Sequence, residues 1–273
     1  MRTLQARLFP IRDPGGGQPA HGLLLRDVTH EKELDRLKSQ LLSTVSHELR
    51  TPLASIKGFA TTLLRQDVAW EDDTRREFLA IIDEESDRLS ELIGNLLDMA
   101  RVEAGTLRVE PEPTNLRPIV TETVGTFRLM TSQHQFQVKM PRNLPRIMAD
   151  PRRVRQVLRN LVENAVKYSP AGGPIVVTVQ VQADEVQIGV TDRGIGIQPE
   201  DLERVFDRFY QVDSASTRKV GGSGLGLSIC KAIVEAHKGR LWAESQVGAG
   251  SSFYFTLPVA DDTGYVEEES HRG

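Results

Sequence analysis

The sequence predicts a multi-domain chain: an α-helical hairpin forming a dimeric four-helix bundle, followed by an α/β two-layer sandwich. Three observations predict it. Residues 31–104 carry apolar side chains at three- and four-residue spacing, residues 119–260 alternate helical and strand patterns, and Pro111, Pro113 and Pro118 stand between the two regions. A length of 273 residues is enough for two cores. Charged residues make up 26% and hydrophobic residues 39%, an ordinary globular balance. A net charge of −4 supplies no global positive field, so no nucleic-acid partner is expected.

In chain order, LQARLFPIR (4–12) and GLLLRDV (22–28) read as two short strands around the Gly/Pro loop DPGGGQPAH. Two strands alone do not make a stable sheet, so the pair docks elsewhere or ends a domain that begins before residue 1. With Asp27-Val28-Thr29 at its exit, the pair resembles the last hairpin of a PAS sensor domain; an unrelated hairpin or a disordered leader is the alternative for residues 1–30. The first residues lack the charged-then-apolar order of a signal peptide, and no apolar run approaches the ~20 residues that span a bilayer. Cys230 is the single cysteine, which excludes an intrachain disulfide framework and a Cys-rich zinc site. The chain is therefore expected in the cytoplasm without membrane contact, alone or as the cytoplasmic portion of a longer or membrane-associated sensor.

Helical periodicity begins near Glu31 with Leu34, Leu37 and Leu41 and continues through His47 to about Arg65. Pro52 lacks the N–H that bonds back to residue 48, so a local bend is expected. After the polar break QDVAWEDDT, a second helix is expected from about Thr74 to Ala104. Its stripe includes Phe78, Ile81, Ile82, Leu89, Leu92, Ile93, Leu96, Leu97 and Met99, and Gly105 stops it. Two helices with wide apolar faces do not bury both against each other; two copies do, so residues 31–104 are expected to make a homodimer.

Residues 105–118 read as a linker with one short strand. Beyond it, helices are expected at 116–131, 151–168 and 225–237, and strands at 134–140, 174–182, 185–192, 239–246 and 251–258, the second and third joined as a hairpin at Ala183-Asp184. Residues 261–273 are acidic and polar and read as a disordered tail.

Of six histidines, His47 stands apart through its neighbours, Ser46-His47-Glu48-Leu49-Arg50-Thr51-Pro52-Leu53. A neutral imidazole nitrogen attacks phosphorus if the other ring nitrogen keeps its proton and is held. Glu48 is a candidate to accept that N–H and balance the developing charge. Thr51, four residues on and on the same helical face, is a candidate to bind water for the reverse hydrolysis. The plainer reading is an exposed helical histidine beside a solvated glutamate.

Three further blocks suit a nucleotide. Asn160 and Asn164 share a helix face, and an amide oxygen is a hard neutral ligand for Mg2+, here assigned to Asn164. Lys167 follows as a phosphate contact and Tyr168 as a packing surface. Asp192, at the end of an apolar strand, can accept from an adenine amino group, and Gly194 and Gly196 let the backbone approach the ring. Glu203, Phe206, Asp207, Phe209 and Tyr210 follow on a short helical stretch, where the phenylalanines pack a core or a mobile segment. Gly222, Gly224, Leu225 and Gly226 precede a helix whose N–H groups favour phosphate. The loop is neither a Walker loop nor a Rossmann fingerprint, because no Gly-Lys-Ser/Thr follows and no strand leads into it. Residues 211–223, with Arg218 and Lys219, read as a flexible lid.

In this order the blocks resemble a two-component sensor histidine kinase over residues 30–260. SHELRTPL resembles the phosphoacceptor box, and the stretches from Asn160, Asp192, Phe206 and Gly222 resemble the N, first glycine, F and second glycine boxes of the GHKL (Bergerat) ATP-binding fold. The resemblance implies ATP and Mg2+, autophosphorylation on His47 and transfer to an aspartate of a response regulator receiver domain. It also implies dephosphorylation of that partner through His47, Glu48 and Thr51. Water-activating relatives of this fold carry a Glu four residues before the metal-binding Asn; here that position is Asn160, which disfavours hydrolysis. A GHKL ATPase, a serine- or threonine-directed kinase, and a silent ATP-binding dimeric scaffold are the competing readings.

Overall fold

The computed structural model describes residues 2–11, 20–65, 67–208, 210–212 and 224–260, and the backbone alone at 10–11, 20–21, 30–31 and 33–44. The side chains of Leu34, Leu37 and Leu41 and the expected tail 261–273 lie outside that description. The chain divides into two compact units, Met1–Leu89 and Ser90–Gly273.

In the first unit, β1 (Leu4–Ile11) and β2 (Ala20–Asp27) form a two-stranded antiparallel sheet. Leu8 faces Leu23 and Ala6 faces Leu25 across it, so one face is apolar; Leu8 is 68% and Leu23 58% exposed. The Asp27 carboxylate accepts from the Thr29 N–H and hydroxyl, turning the chain into α1 (Thr29–Leu63). This helix runs through Pro52. It starts earlier than the periodicity suggests, because Asp27 and Thr29 make the turn. α2 (Asp72–Glu103) follows with Asp72 and Asp73 in its first turn, where acidic groups favour the helix dipole. Phe59 and Trp70 pack on Phe78, with ring centroids 5.2 and 5.3 Å away, and close the hairpin. Leu53 and Leu79 remain exposed, and Ile81, Ile82 and Leu89 only half-buried, so this unit leaves its apolar stripe incompletely covered.

The second unit takes in the last turns of α2. Thr106 N–H bonds the Arg101 carbonyl and Gly105 adopts φ 63°, so the helix ends at the expected glycine. β3 (Glu112–Thr114) pairs antiparallel with β5 (Ile147–Ala149). α3 (Leu116–Met130) is capped by Asn115, and α4 (Pro151–Lys167) by Asp150 with Pro151 in the first turn. α5 is Gly226–Ala236. β4 (His134–Lys139), β6 (Gly173–Gln182), β7 (Glu185–Thr191), β8 (Leu241–Gln246) and β9 (Gly250–Pro258) form one mixed sheet in the order β4-β6-β7-β9-β8. Only β4–β6 is parallel.

Strand alternation sends Ile175, Val177, Ile188, Val190, Phe253 and Phe255 into the core. The helices meet them with Val120, Leu158, Leu161 and Ile233. Burying each such side chain contributes about 1.5–3 kcal/mol. These elements make the expected two-layer sandwich. Where one short helical stretch was expected, two 3-10 turns stand at Pro199–Asp201 and Arg204–Phe206, and Asp207 is already extended. Pro199 opens the first turn, where its missing N–H is not needed, and Asp207 in the extended region ends the second.

Asp98, 6% exposed near the end of α2, accepts from Arg153 at 2.7 Å and Gln156 at 2.9 Å, both on α4. Burial pushes its carboxyl up. The bonds from Arg153 and Gln156 and the charges of Arg153 and Arg101 outweigh it, leaving the carboxyl below the ordinary range. The stabilisation is therefore complete above the unfolded pKa of about 3.9 and lost as pH falls through the lowered folded value. Asp98→Asn is expected to destabilise this unit by about 1–3 kcal/mol at pH 7 in urea unfolding, with the difference shrinking below about pH 4. A pH-independent difference would contradict the ionic account.

Candidate functional site

The candidate residues fall on two surfaces, one in each unit. On α1, His47 is exposed, Glu48 half-buried and Thr51 exposed. The Thr51 hydroxyl donates to the His47 backbone carbonyl at 3.3 Å, a back-bond one turn long. No hydrogen bond joins Glu48 to the His47 ring, and the ring has no partner among the described residues. Consecutive helix positions point about 100° apart, so the pair does not meet without a rotamer change.

In the second unit the nucleotide-type residues come from four elements. On α4, Asn160 and Asn164 are half-buried and joined, Asn164 Nδ2 donating to Asn160 Oδ1 at 3.2 Å, and the Asn164 amide oxygen has no hydrogen bond among the described residues. Glu163 is exposed on another face. At the end of α4, the Lys167 ammonium lies 5.3 Å from the Tyr168 ring centroid, and burial pushes the Tyr168 phenol up.

Asp192 follows β7 and is 5% exposed. Its Oδ1 accepts from Gly194 N–H at 2.7 Å, Ser251 N–H at 3.2 Å and the Ser169 hydroxyl at 3.5 Å. Burial pushes its carboxyl up, and those three bonds pull against it. Among the described residues nothing donates to Oδ2. The surrounding glycines are required by contact: a Cβ at Gly194 would strike the Tyr168 carbonyl, and one at Gly196, where φ is 72°, the Gln246 carbonyl. Ile195 N–H also bonds the Tyr168 carbonyl at 3.1 Å, so the Asp192 turn is stitched to the end of α4.

Phe206 is buried against Phe253, ring centroids 6.2 Å apart and nearly perpendicular. Gly224 has φ 67° and Leu225 is 1% exposed; Gly226 opens α5 directly against the Asn160 amide. Phe209, Arg218, Lys219 and Gly222 lie outside the described residues. The sandwich thus gathers Asn160, Asn164, the Asp192 turn and the start of α5 along one side of α4.

A family model described as "His Kinase A (phospho-acceptor) domain" matches residues 37–105. A second, "Histidine kinase-, DNA gyrase B-, and HSP90-like ATPase", matches residues 149–261. The chain belongs to the sensor histidine kinases of the two-component type. Sensor histidine kinase WalK of Bacillus subtilis (strain 168) is 37% identical over 246 residues, covering 88% of this chain and 39% of WalK. The chain therefore spans about two fifths of that relative's length. Among solved structures, full-length ShkA in complex with AMPPNP is 29% identical with a TM-score of 0.59, covering 81% of this chain and 46% of ShkA. The Acinetobacter baumannii histidine kinase AdeS is 25% identical with the same TM-score of 0.59, covering 79% of this chain and 98% of AdeS.

His47 falls inside the first match, and Asn160, Asn164 and Asp192 inside the second. Sequence reading of this family member overlooked Ser169 and His134. Ser169 is 1% exposed, bonds Asp192 through its hydroxyl, and accepts through its carbonyl from His134 Nε2 at 3.1 Å. His134 comes from β4, with no local pattern tying it to the site. Ser169 ends the RNLVENAVKYS run, so its place beside Tyr168 was the available signal.

The helix glycines give a paired test. Gly226→Ala forces a methyl group onto the Asn160 amide and is expected to cost about 1–3 kcal/mol in urea unfolding. Gly125→Ala, in open space on α3, is expected to stabilise by about 0.5–1 kcal/mol. Equal effects would contradict the close packing of α5 on α4.

Proposed function

We propose that the chain is an ATP-dependent protein histidine kinase module. It autophosphorylates on His47 and passes the phosphoryl group to an aspartate on the receiver domain of a response regulator. It acts in the cytoplasm as a homodimer built through α1 and α2, and it uses Mg2+. Among the described residues no helix is long and apolar enough to cross a membrane.

The single observation that carries it is the His47 ring: exposed, without a partner among the described residues, and inside the stretch matched by the phosphoacceptor family model. A ring nitrogen that already accepts a hydrogen bond has its lone pair engaged, and no described residue donates to either nitrogen of His47. ATP as the donor is supported by Asp192. A buried carboxylate whose second oxygen has no donor, and which has no cation in contact, among the described residues is an acceptor for a neutral donor such as the adenine amino group. The glycines at 194 and 196 let the turn that carries Asp192 pack on the Tyr168 and Gln246 carbonyls, which holds the carboxylate in place. Mg2+ is supported by the donor set: Asn164 offers a hard oxygen while Asn160 holds its amide nitrogen. ShkA, solved with AMPPNP, is a relative described with a triphosphate analogue in place.

Bound Mg-ATP supplies the γ-phosphoryl group. His47 contributes the attacking lone pair; the N–P bond forms as the P–O bond to ADP breaks. Glu48 turns to accept the N–H of the other ring nitrogen and balances the imidazolium charge. Asn160 places no carboxylate where a water-activating base would stand, so the γ-phosphoryl group is spared hydrolysis. Lys167, Gly224, Leu225 and Gly226, with Arg218, Lys219 and Gly222, serve the phosphates, while Tyr168, Phe206 and Phe209 pack the nucleotide side. Thr51, whose hydroxyl oxygen remains able to accept, orients water for dephosphorylation of the regulator.

Incubation with γ-labelled ATP and magnesium is expected to give acid-labile, base-stable label on wild type and none on His47→Gln. Asn164→Ala is expected to lose at least tenfold in labelling rate. Label that survives His47→Gln, or that is acid-stable, would reject His47 as acceptor.

A further inference from the structure

A cleft of about 640 Å³ opens between the first turn of α3 and the loop joining β4 to β5. Pro113, Asn115, Arg117, Arg142, Leu144 and Arg146 line it, and no carboxylate does. The Arg117 guanidinium donates to the carbonyls of Pro141 at 2.7 Å and Arg142 at 2.8 Å, which fixes the loop against the helix. Arg142 and Arg146 are exposed, and neither side chain has an ion pair or hydrogen bond among the described residues. In a chain of net charge −4, this is a local excess of positive charge, with no carboxylate among the described lining residues.

The chain itself arrives at this cleft. Val259 bridges Ile147, and Ala260 N–H bonds the Arg146 carbonyl at 2.8 Å. The next residues are Asp261 and Asp262, followed by Glu267, Glu268 and Glu269. An extended chain covers at most about 3.3–3.6 Å per residue, so all five carboxylates leave Ala260 within ~35 Å of reach. A short tether holds them at an effective concentration in the millimolar range.

We propose that the Arg117–Arg142–Arg146 cleft is the docking site of this chain's own acidic segment, residues 261–273. Guanidinium groups pair with carboxylates through two parallel N–H bonds, the strongest polar contact an exposed arginine makes. The segment is too polar to build a core of its own, so charge rather than apolar burial selects the site. Contacts of this kind are screened by salt, the Debye length falling from about 30 Å at 0.01 M to about 3 Å at 1 M. The proposal is independent of the kinase reading.

The test uses the full chain with Ser270→Cys carrying a nitroxide. Cys230 is buried and burial pushes its thiol far up, so the label goes to position 270 alone. The amide signals of Asn143 and Leu144 are expected to lose at least half their intensity in 10 mM salt and recover in 1 M salt. Arg142→Gln with Arg146→Gln is expected to restore them at low salt, with the remaining amide spectrum unchanged. Full intensity at low salt, or broadening that survives the double substitution, would overturn the proposal. So would broadening that passes from a labelled chain to a separate, isotope-enriched one, since the occupant would then be a second copy.

Discussion

A buried carboxylate with no cation beside it among the described residues is the constraint on which the second unit depends. Asp192 lies at the end of a core strand with 5% of its surface exposed. Burial raises its carboxyl, so its ionised form weakens the fold at neutral pH. That penalty is absent below the unfolded pKa, grows as pH rises above it and is complete above the raised folded value. Two backbone N–H groups and the Ser169 hydroxyl offset part of it, and all three meet the same oxygen. Among the described residues nothing donates to the other oxygen. In the proposed reading a bound adenine completes the arrangement, and binding relieves what folding left unsatisfied.

The same economy explains the surrounding contacts. Gly194 lets the Asp192 turn press on the Tyr168 carbonyl, and Gly226 lets α5 press on Asn160. Both close approaches anchor on α4, whose start is capped by Asp150. The Asp150 N–H in turn donates to His237 Nε2 at 2.9 Å, while His237 Nδ1 bonds the Ile233 carbonyl at 2.8 Å. One helix therefore carries the amide proposed to bind the metal, abuts the turn proposed to meet adenine and receives the start of the helix proposed to face the phosphates. The helical hairpin has the opposite character: its exposed leucines and incompletely covered stripe leave apolar surface for a second copy.

Element positions were legible because each rests on local chemistry. Gly105 ended α2, Asn115 and Asp150 began helices, and alternation located the strands of the main sheet within a residue or two. β5 was not legible. It is three residues long and exists only because β3, far back in the chain, pairs with it. The Asp98–Arg153 contact was hidden for the same reason: each residue alone reads as a solvated charge on a helix. Asp192 was legible as a strand-ending Asp-x-Gly turn, but its one-sided hydrogen bonding was not, because Ser169 and Ser251 reach it from distant segments. The exposed imidazole of His47 was legible from its neighbours, whereas the separation of Glu48 from it required the helix geometry.

The most direct measurement compares nucleotides that differ only where Asp192 would meet the base. Calorimetric titration of the full chain with ATP and with inosine triphosphate exchanges an amino donor for a carbonyl acceptor at that position. The account predicts at least tenfold tighter binding of ATP and loss of most of that preference in Asp192→Asn, whose amide can donate as well as accept. Equal affinities in the wild type, or an unchanged preference in Asp192→Asn, would contradict it.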